Sequence, residues 1–282
     1  MEKIYLCYNN QIYEAETTLF SAQNRSFKYG DGLFESMVMF HGQIPFFKFH
    51  FERLCKGMKT LEIRQTKDFN ATILQESVTK LKKLHASCEN ARIRLMVFRE
   101  TGGFYLPKNN EMNWLLEMSP MQNQYFELNE NGLRIDIFPN IKKGIDILSP
   151  LKTNNALIYI MATLYQQKNA LDDCLILNTE NHIADATSAN VCLVKNGLLV
   201  VPHDNDGGVH GIMIAQIMIL AYKLNIPIIR KSLTVNDLQE ASEIWLTNAV
   251  RGIRWVAHFR ETVYKHDLAT FFVQQLNERY IL

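Results

Sequence analysis

The chain has 282 residues, 47% hydrophobic and 21% charged, and its 30 Lys plus Arg nearly match its 29 Asp plus Glu. That length favours two domains over a single core, and a formal net charge of +1 gives no footing for nucleic acid or an anionic membrane as partner. No apolar run approaches the roughly 20 residues of a membrane-spanning helix, and the opening Met1-Glu2-Lys3-Ile4-Tyr5 carries no apolar signal segment.

In chain order, Ile4 to Tyr8 and Gln11 to Glu16, split by Asn9-Asn10, read as a hairpin. Phe34 to Phe40 reads as a strand closed by a His41-Gly42 turn. Phe47, Phe51, Leu54, Met58 and Leu61 recur at alternating steps of four and three, which places them on one buried helix face. A second helix is expected over 68–85. Ala91 to Arg99 alternates Ala91, Ile93, Leu95 and Val97 against Arg92, Arg94, Met96 and Phe98, so one strand face is apolar and the other carries two cations. Trp114 to Met118 is a further strand.

Ser119-Pro120-Met121-Gln122-Asn123-Gln124 is polar, aperiodic and holds a proline. It reads as a linker over 119–126 between an N-terminal α/β domain, 1–118, and a C-terminal one, 127–282. The second half is expected to run strand 132–138, helix 155–169, strand 173–178, strand 190–195, an Asn196-Gly197 turn and strand 198–201. Helix 211–224, strand 226–231, a short helix at 235–240, strand 243–247 and a last helix at 266–278 follow. Both halves are therefore mixed α/β. The five cysteines, Cys7, Cys55, Cys88, Cys174 and Cys192, are scattered, with no CxxC and no Cys/His cluster of metal spacing. They read as reduced thiols in a cytoplasmic protein without a metal site.

Candidate chemistry sits in separate segments. Lys152 precedes an amphipathic helix, where the dipole disfavours its charge and favours the neutral amine that imine formation needs; a solvated surface lysine is the competing reading. Asp185 lies among small and polar residues, as a carboxylate for a protonated ring nitrogen or as a turn or capping aspartate; Thr187, Ser188 and Asn190 are hydrogen-bond donors that either fix this carboxylate or merely satisfy a turn. Gly207-Gly208-Val209-His210-Gly211 opens an apolar helix and suits an anion at its backbone amides, or is a plain strand–helix loop. Thr247-Asn248 ends a strand with a hydroxyl and an amide. Arg53, beside the buried stripe, is an inward phosphate cation or a solvated helix edge. Taken together, the set suits pyridoxal phosphate, whose ring carries the chemistry while the protein orients it.

The chain resembles the class IV, fold-type IV pyridoxal-phosphate enzymes, which include branched-chain aminotransferases, D-amino-acid aminotransferases and aminodeoxychorismate lyases. The resemblance rests on Arg25 to Ser36, on His50-Phe51-Glu52-Arg53-Leu54, on Lys152-Thr153-Asn154-Asn155, on Ile183 to Asn190, on Gly211-Ile212-Met213 and on Leu246 to Ile253. It implies a two-domain fold like that of D-amino-acid aminotransferase and a homodimer. It implies that Lys152 holds the cofactor as an imine and shuttles the proton. Arg53, Thr247 and the Ile212 and Met213 backbone would hold its phosphate, and Asp185 would meet its ring. Tyr29, Phe34 and Ser36 would line the substrate side, and Arg94 and Arg99 are candidates for a substrate carboxylate.

Three departures from the family pattern, and a fourth from the lyase pattern, mark this chain. Asp185 stands where the family usually has glutamate. Met213 and Ile214 stand where Thr or Ser and then Arg are common. Leu157 stands where branched-chain aminotransferases carry tyrosine. Phe104 follows Gly102-Gly103 where lyases often carry arginine, whereas the Phe34-Glu35-Ser36 triplet leans towards the lyase. The expected function is transamination between an amino acid and a 2-oxo acid. The alternatives are release of pyruvate from aminodeoxychorismate to give 4-aminobenzoate and, more remotely, a non-catalytic relative that only binds.

Overall fold

A computed structural model of the chain describes residues 3–85 and 88–282, so Met1 and Glu2 of the expected signal-free opening lie outside the described residues. The chain divides into two compact units, Met1–Gln124 with Lys152–Asn155, and Tyr125–Leu151 with Ala156–Leu282.

The first unit runs β1 (Tyr5–Tyr8), β2 (Gln11–Glu14), α1 (Arg25–Tyr29), β3 (Gly32–Met39), α2 (Phe47–Thr60), α3 (Ala71–Leu84), β4 (Ala91–Arg99) and β5 (Met112–Pro120). Its sheet is antiparallel throughout, in the order β2-β1-β5-β4-β3. The three-four stripe expected for α2 forms, and it buries His50, Leu54, Gly57 and Met58. Asn70 caps α3 by accepting from the Ile73 amide at 3.0 Å, which satisfies an amide that the first helical turn leaves open. β4 alternates as its sequence dictates: Ile93, Leu95 and Val97 are fully buried, each contributing roughly 1.5–3 kcal/mol relative to exposure. α1 falls in a segment read only as a motif. Asn24 caps it, and Gly30, in the left-handed region at φ 66°, ends it.

Two boundaries differ from expectation. Ser119 and Pro120 are rungs of β5, paired with Arg92 and Ala91, so the polar stretch read as a linker from 119 begins as strand. Backbone pairing at a sheet end needs no apolar side chain, which is why composition missed it. Lys152–Asn155, assigned from the sequence to the second domain, belongs to the first unit. The Phe34 amide donates to the Lys152 carbonyl at 2.9 Å and the Asn154 amide to the Gly32 carbonyl at 3.0 Å, which adds this short segment to the free edge of β3.

The second unit runs β6 (Leu133–Lys143), α4 (Leu157–Lys168), β7 (Asp173–Asn178), β8 (Ile183–Ala186), β9 (Asn190–Lys195), β10 (Leu198–Val201), α5 (Ile212–Lys223), β11 (Ile228–Arg230), α6 (Val235–Gln239), β12 (Glu243–Asn248), β13 (Gly252–Phe259), β14 (Thr262–Val263) and α7 (Asp267–Tyr280). The sheet order is β11-β10-β9-β12-β13-β6-β7-β8, with β14 on β13. β6 lies parallel to both β13 and β7, so it is a central strand. One core joins Leu175, Ile183, Val191, Leu193, Ile244, Leu246, Val256 and Phe259. A smaller one packs Phe138, Cys174 and Ile176 with Ile158, Tyr159 and Tyr165 of α4, and this seats α4 over β6 and β7. β8 and β13 were not expected. β8 is only four residues long and carries an aspartate, and the burial of β13 follows no clean period of two.

Candidate active site

In the first unit, Leu33 and Thr153 form an antiparallel bridge. Lys152 therefore stands opposite Phe34, and their side chains share a face. The Lys152 ammonium lies 4.4 Å from the centre of the Phe34 ring, and the Arg94 guanidinium carbon lies 4.2 Å from the same centre. Ser36 is directly across from Arg94 on β4, and Arg94 is across from Glu117 on β5. Lys152, Phe34, Ser36 and Arg94 are thus brought onto one face of the sheet as half-buried side chains. Burial holds Arg94 below the usual arginine value, against the opposing pull of Glu117.

The opposite face of β3 carries Glu35, 1% exposed. α2 presents His50 and Arg53 to it, one helical turn apart and so on one side of the helix. Glu35 Oε1 accepts from Arg53 Nε at 2.7 Å, and Oε2 accepts from Arg53 Nη2 at 2.5 Å and lies 2.7 Å from His50 Nδ1. Burial pushes the Glu35 carboxyl up, but Arg53 and the His50 hydrogen bond outweigh it and hold the group below the usual carboxylate range. Arg53 is therefore no solvated helix edge; its fork is fixed by a buried carboxylate.

Arg99 requires correction. Its Nε donates to Asp31 at 3.0 Å, Nη1 to Asn110 at 2.7 Å and to the Glu62 carbonyl at 3.2 Å, and Nη2 to the Leu61 carbonyl at 2.6 Å. Every nitrogen of the guanidinium holds the protein together, which removes Arg99 as a substrate-carboxylate ligand. Arg25 works alike, pairing with Asp31 at 2.7 Å and donating to the carbonyls of Gly102, Phe104 and Tyr105. Tyr29 ends α1, with its ring 5.7 Å from that of Tyr105 and 5.1 Å from the Arg25 guanidinium carbon.

In the second unit, Asp185 lies within β8 and is 3% exposed; it is neither a turn nor a helix cap. Its Oδ2 accepts from Lys143 Nζ at 2.7 Å and from the Tyr159 hydroxyl at 2.9 Å. Its Oδ1 accepts from Asn190 Nδ2 at 3.1 Å, and the Val209 amide lies 3.2 and 3.1 Å from the two oxygens. Of the donors weighed from the sequence, Asn190 alone reaches the carboxylate. Thr187 turns to Asp173, at 2.7 Å from its hydroxyl, and the Ser188 carbonyl accepts from Asn248. Burial, and then the Asp185 charge, push the Tyr159 phenol far above its ordinary value, so it stays a neutral donor.

Asn190 also links this carboxylate to the head of α5. Its Nδ2 donates to the Val209 carbonyl at 2.7 Å, its backbone pairs with Thr247 across β9 and β12, and its Oδ1 occupies the space a side chain on Gly211 would need. Glycine is required there for that close approach. α5 starts at Ile212 and Met213 with no side-chain cap, so its first amides keep the anion-binding character of an open helix start. The Thr247 hydroxyl beside it is fully buried and has no hydrogen-bond partner among the described residues.

Sequence reasoning missed Glu35, His50, Lys143 and Tyr159. The His50/Arg53 spacing on one helix face and the position of Glu35 between Phe34 and Ser36 were signals for the first pair. Nothing local marks Lys143 or Tyr159 as neighbours of Asp185.

The fold is that of known enzymes of this architecture. A crystal structure of the branched-chain aminotransferase from Thermoproteus uzoniensis with norvaline superposes with a TM-score of 0.87 at 18% identity, covering 98% of this chain and 94% of that one. The family model for amino-transferase class IV matches residues 32–259, and the chain belongs to that family of pyridoxal-phosphate enzymes. A provisionally named branched-chain-amino-acid aminotransferase of Methanocaldococcus jannaschii is 26% identical over 286 residues, 99% of this chain and 95% of that protein. The aminodeoxychorismate lyase of Vibrio harveyi is 26% identical over 233 residues, 82% of this chain and 83% of that protein. The two-domain, mixed α/β fold-type IV architecture expected from the sequence is therefore met. The activity lies within the group that spans these aminotransferases and lyases. No helix among the described residues is long and apolar enough to cross a membrane.

Proposed function

We propose that this chain is a pyridoxal-phosphate-dependent transaminase that moves an amino group between an amino acid and a 2-oxo acid, with Lys152 as the amine that meets the cofactor aldehyde. The observation that carries the reading is the pair of cations over Phe34, an amine and a guanidinium, each within 4.4 Å of one ring centre. In this reading the amine serves the amino-bearing carbon of the substrate and the guanidinium its carboxylate.

The residues present suit the cofactor's ester tail. A buried hydroxyl without a partner is costly unless something completes it. Thr247 Oγ1 is such a group, beside an uncapped helix start that favours an anion. In this reading the Ile212 and Met213 amides and Thr247 hold the phosphate; Arg53, the further cation expected for it from the sequence, is braced by Glu35 within the first unit. When bound, pyridoxal phosphate supplies an electron-withdrawing ring conjugated to an imine. Lys152 takes the proton from the substrate's amino-bearing carbon and returns it as a general acid. Arg94 orients the substrate carboxylate, Phe34 shields the amine from water, and Ser36 and Tyr29 shape the substrate side. A homodimer belongs to this reading, and sedimentation tests it.

The lyase is the second reading, favoured by the Ser36 hydroxyl directly across from Arg94. Incubation with D-alanine, L-leucine or L-glutamate plus a 2-oxo acid should give amino transfer; pyruvate from aminodeoxychorismate alone would replace the transaminase with the lyase. Added cofactor should produce a visible absorption band and a borohydride-fixed adduct on Lys152. Loss of both would leave only a binding relative.

A further inference from the structure

We infer that Lys143 and Tyr159 hold Asp185 as an already neutralised, fully hydrogen-bonded carboxylate, so that a pyridine nitrogen brought to this cluster stays unprotonated. The inference rests on the pyridoxal-phosphate reading above and concerns what this chain does to the ring. It is the reverse of the reading that the sequence alone suggests for Asp185, a carboxylate for a protonated ring nitrogen.

The hydrogen-bond capacity of the carboxylate is filled. An ionised carboxylate offers about four acceptor sites. Asp185 receives Lys143 at 2.7 Å, Tyr159 at 2.9 Å, Asn190 at 3.1 Å and the Val209 amide at 3.1 Å. Little water is available to take over from any of them, since the Lys143 and Asp185 side chains are 10% and 4% exposed. Each donor is fixed by its own element. Lys143 ends β6 opposite Asn178 of β7, and its ammonium lies 5.4 Å from the centre of the Tyr159 ring. Tyr159 sits in the first turn of α4, packed against Phe138 and Ile176. Asn190 is also tied to the Val209 carbonyl. A Cβ on Gly208 would lie 2.5 Å from the Ala184 carbonyl oxygen and 3.5 Å from Asp185 Oδ1, so the loop backbone lies close against the carboxylate.

The charge balance points the same way. Of the four groups bound to Asp185, Lys143 carries the only positive charge, and Tyr159 is a neutral phenol. A ring protonated at nitrogen would be a second cation on one carboxylate, with the Lys143 ammonium as its neighbour, and like charges in a site of low exposure disfavour each other. A neutral ring nitrogen is an acceptor, and the Lys143 ammonium keeps hydrogens beyond the one it gives Asp185. Lys143 and Tyr159 are positioning residues in this arrangement: they act on the ring through Asp185.

The test is the 15N resonance of the protein loaded with 15N-labelled pyridoxal phosphate. The wild-type signal is expected in the range of a neutral pyridine. Lys143→Met, which removes the competing cation, should displace it far upfield towards a pyridinium, and Lys143→Gln, which keeps a donor without the charge, should do the same where methionine does not fold. Lys143→Arg should restore the neutral signal. A pyridinium resonance in the wild type overturns the inference while leaving the proposed function standing, and so does a resonance that the loss of the lysine charge does not move. Failure of the protein to take up the cofactor at all, with no visible band and no adduct on Lys152, overturns both.

Discussion

Two buried carboxylates, one in each unit, are neutralised in different ways. Glu35, on β3, meets a guanidinium fork and an imidazole. Asp185, on β8, meets one ammonium and three neutral donors. An arginine fork fixes both the carboxylate and the direction of its own cation, whereas a lysine is a point charge on a flexible stem. Glu35 is therefore built to aim Arg53. Asp185 is the centre of a cluster that neutralises its charge where it lies. The same residue class serves once as a brace and once as the group being braced.

The strongest way to test the first unit's half of this comparison is to remove its amine. Lys152→Ala should lower turnover by about 10³-fold or more, as expected when a residue both forms the imine and moves the proton, with the unfolding midpoint held. A variant with near-normal rate would break the assignment of Lys152 as the reacting amine.

Next comes the brace. Glu35→Gln leaves Arg53 and His50 facing a neutral amide and should cost about 3 kcal/mol in denaturant unfolding, the lower end of what breaking a buried pair costs. The pH sign follows from the lowered carboxyl of Glu35. Its contribution to stability is full above the unfolded value of about 4.3 and is lost as pH falls through the lower folded value. Acid titration of stability should therefore be flatter in Glu35→Gln below about pH 4.3; an unchanged acid limb would show that Glu35 is not the group responsible.

Arg94→Gln probes the face shared with Lys152. It should raise KM for the amino acid by roughly 10- to 100-fold, the worth of a hydrogen bond to a charged group, while kcat changes less. A fall in kcat with KM unchanged would place Arg94 outside carboxylate binding. The smallest expected effect is on Thr247→Val. Removing a buried hydroxyl without a partner should leave stability unchanged or raise it by up to about 1 kcal/mol, while weakening cofactor uptake about tenfold, read by equilibrium dialysis. Tighter uptake would remove Thr247 from the phosphate grip.

The candidate site was legible where chemistry follows local order. The Gly207 to Gly211 turn leading into α5, Thr247 at a strand end, and Arg53 beside the α2 stripe all lie where their patterns place them. Lys152 was legible as a residue but was assigned to the wrong unit, because four residues of edge pairing on β3 leave no periodic trace. Arg94 and Arg99 look equivalent in sequence, two cations on one strand. Yet Arg94 lies over Phe34, while Arg99 is absorbed by Asp31, Asn110 and the carbonyls of Leu61 and Glu62.

By itself the sequence determined the helix faces, the strand alternation and which side chains are candidates for chemistry, because periodicity and side-chain chemistry are properties of neighbours along the chain. The partners were decided by tertiary structure alone: Glu35 with Arg53, and Lys143 and Tyr159 with Asp185, separated by 42 and 26 positions. Such pairings arise when strands and helices pack, and the charge a buried carboxylate presents depends on those partners far more than on its flanking residues.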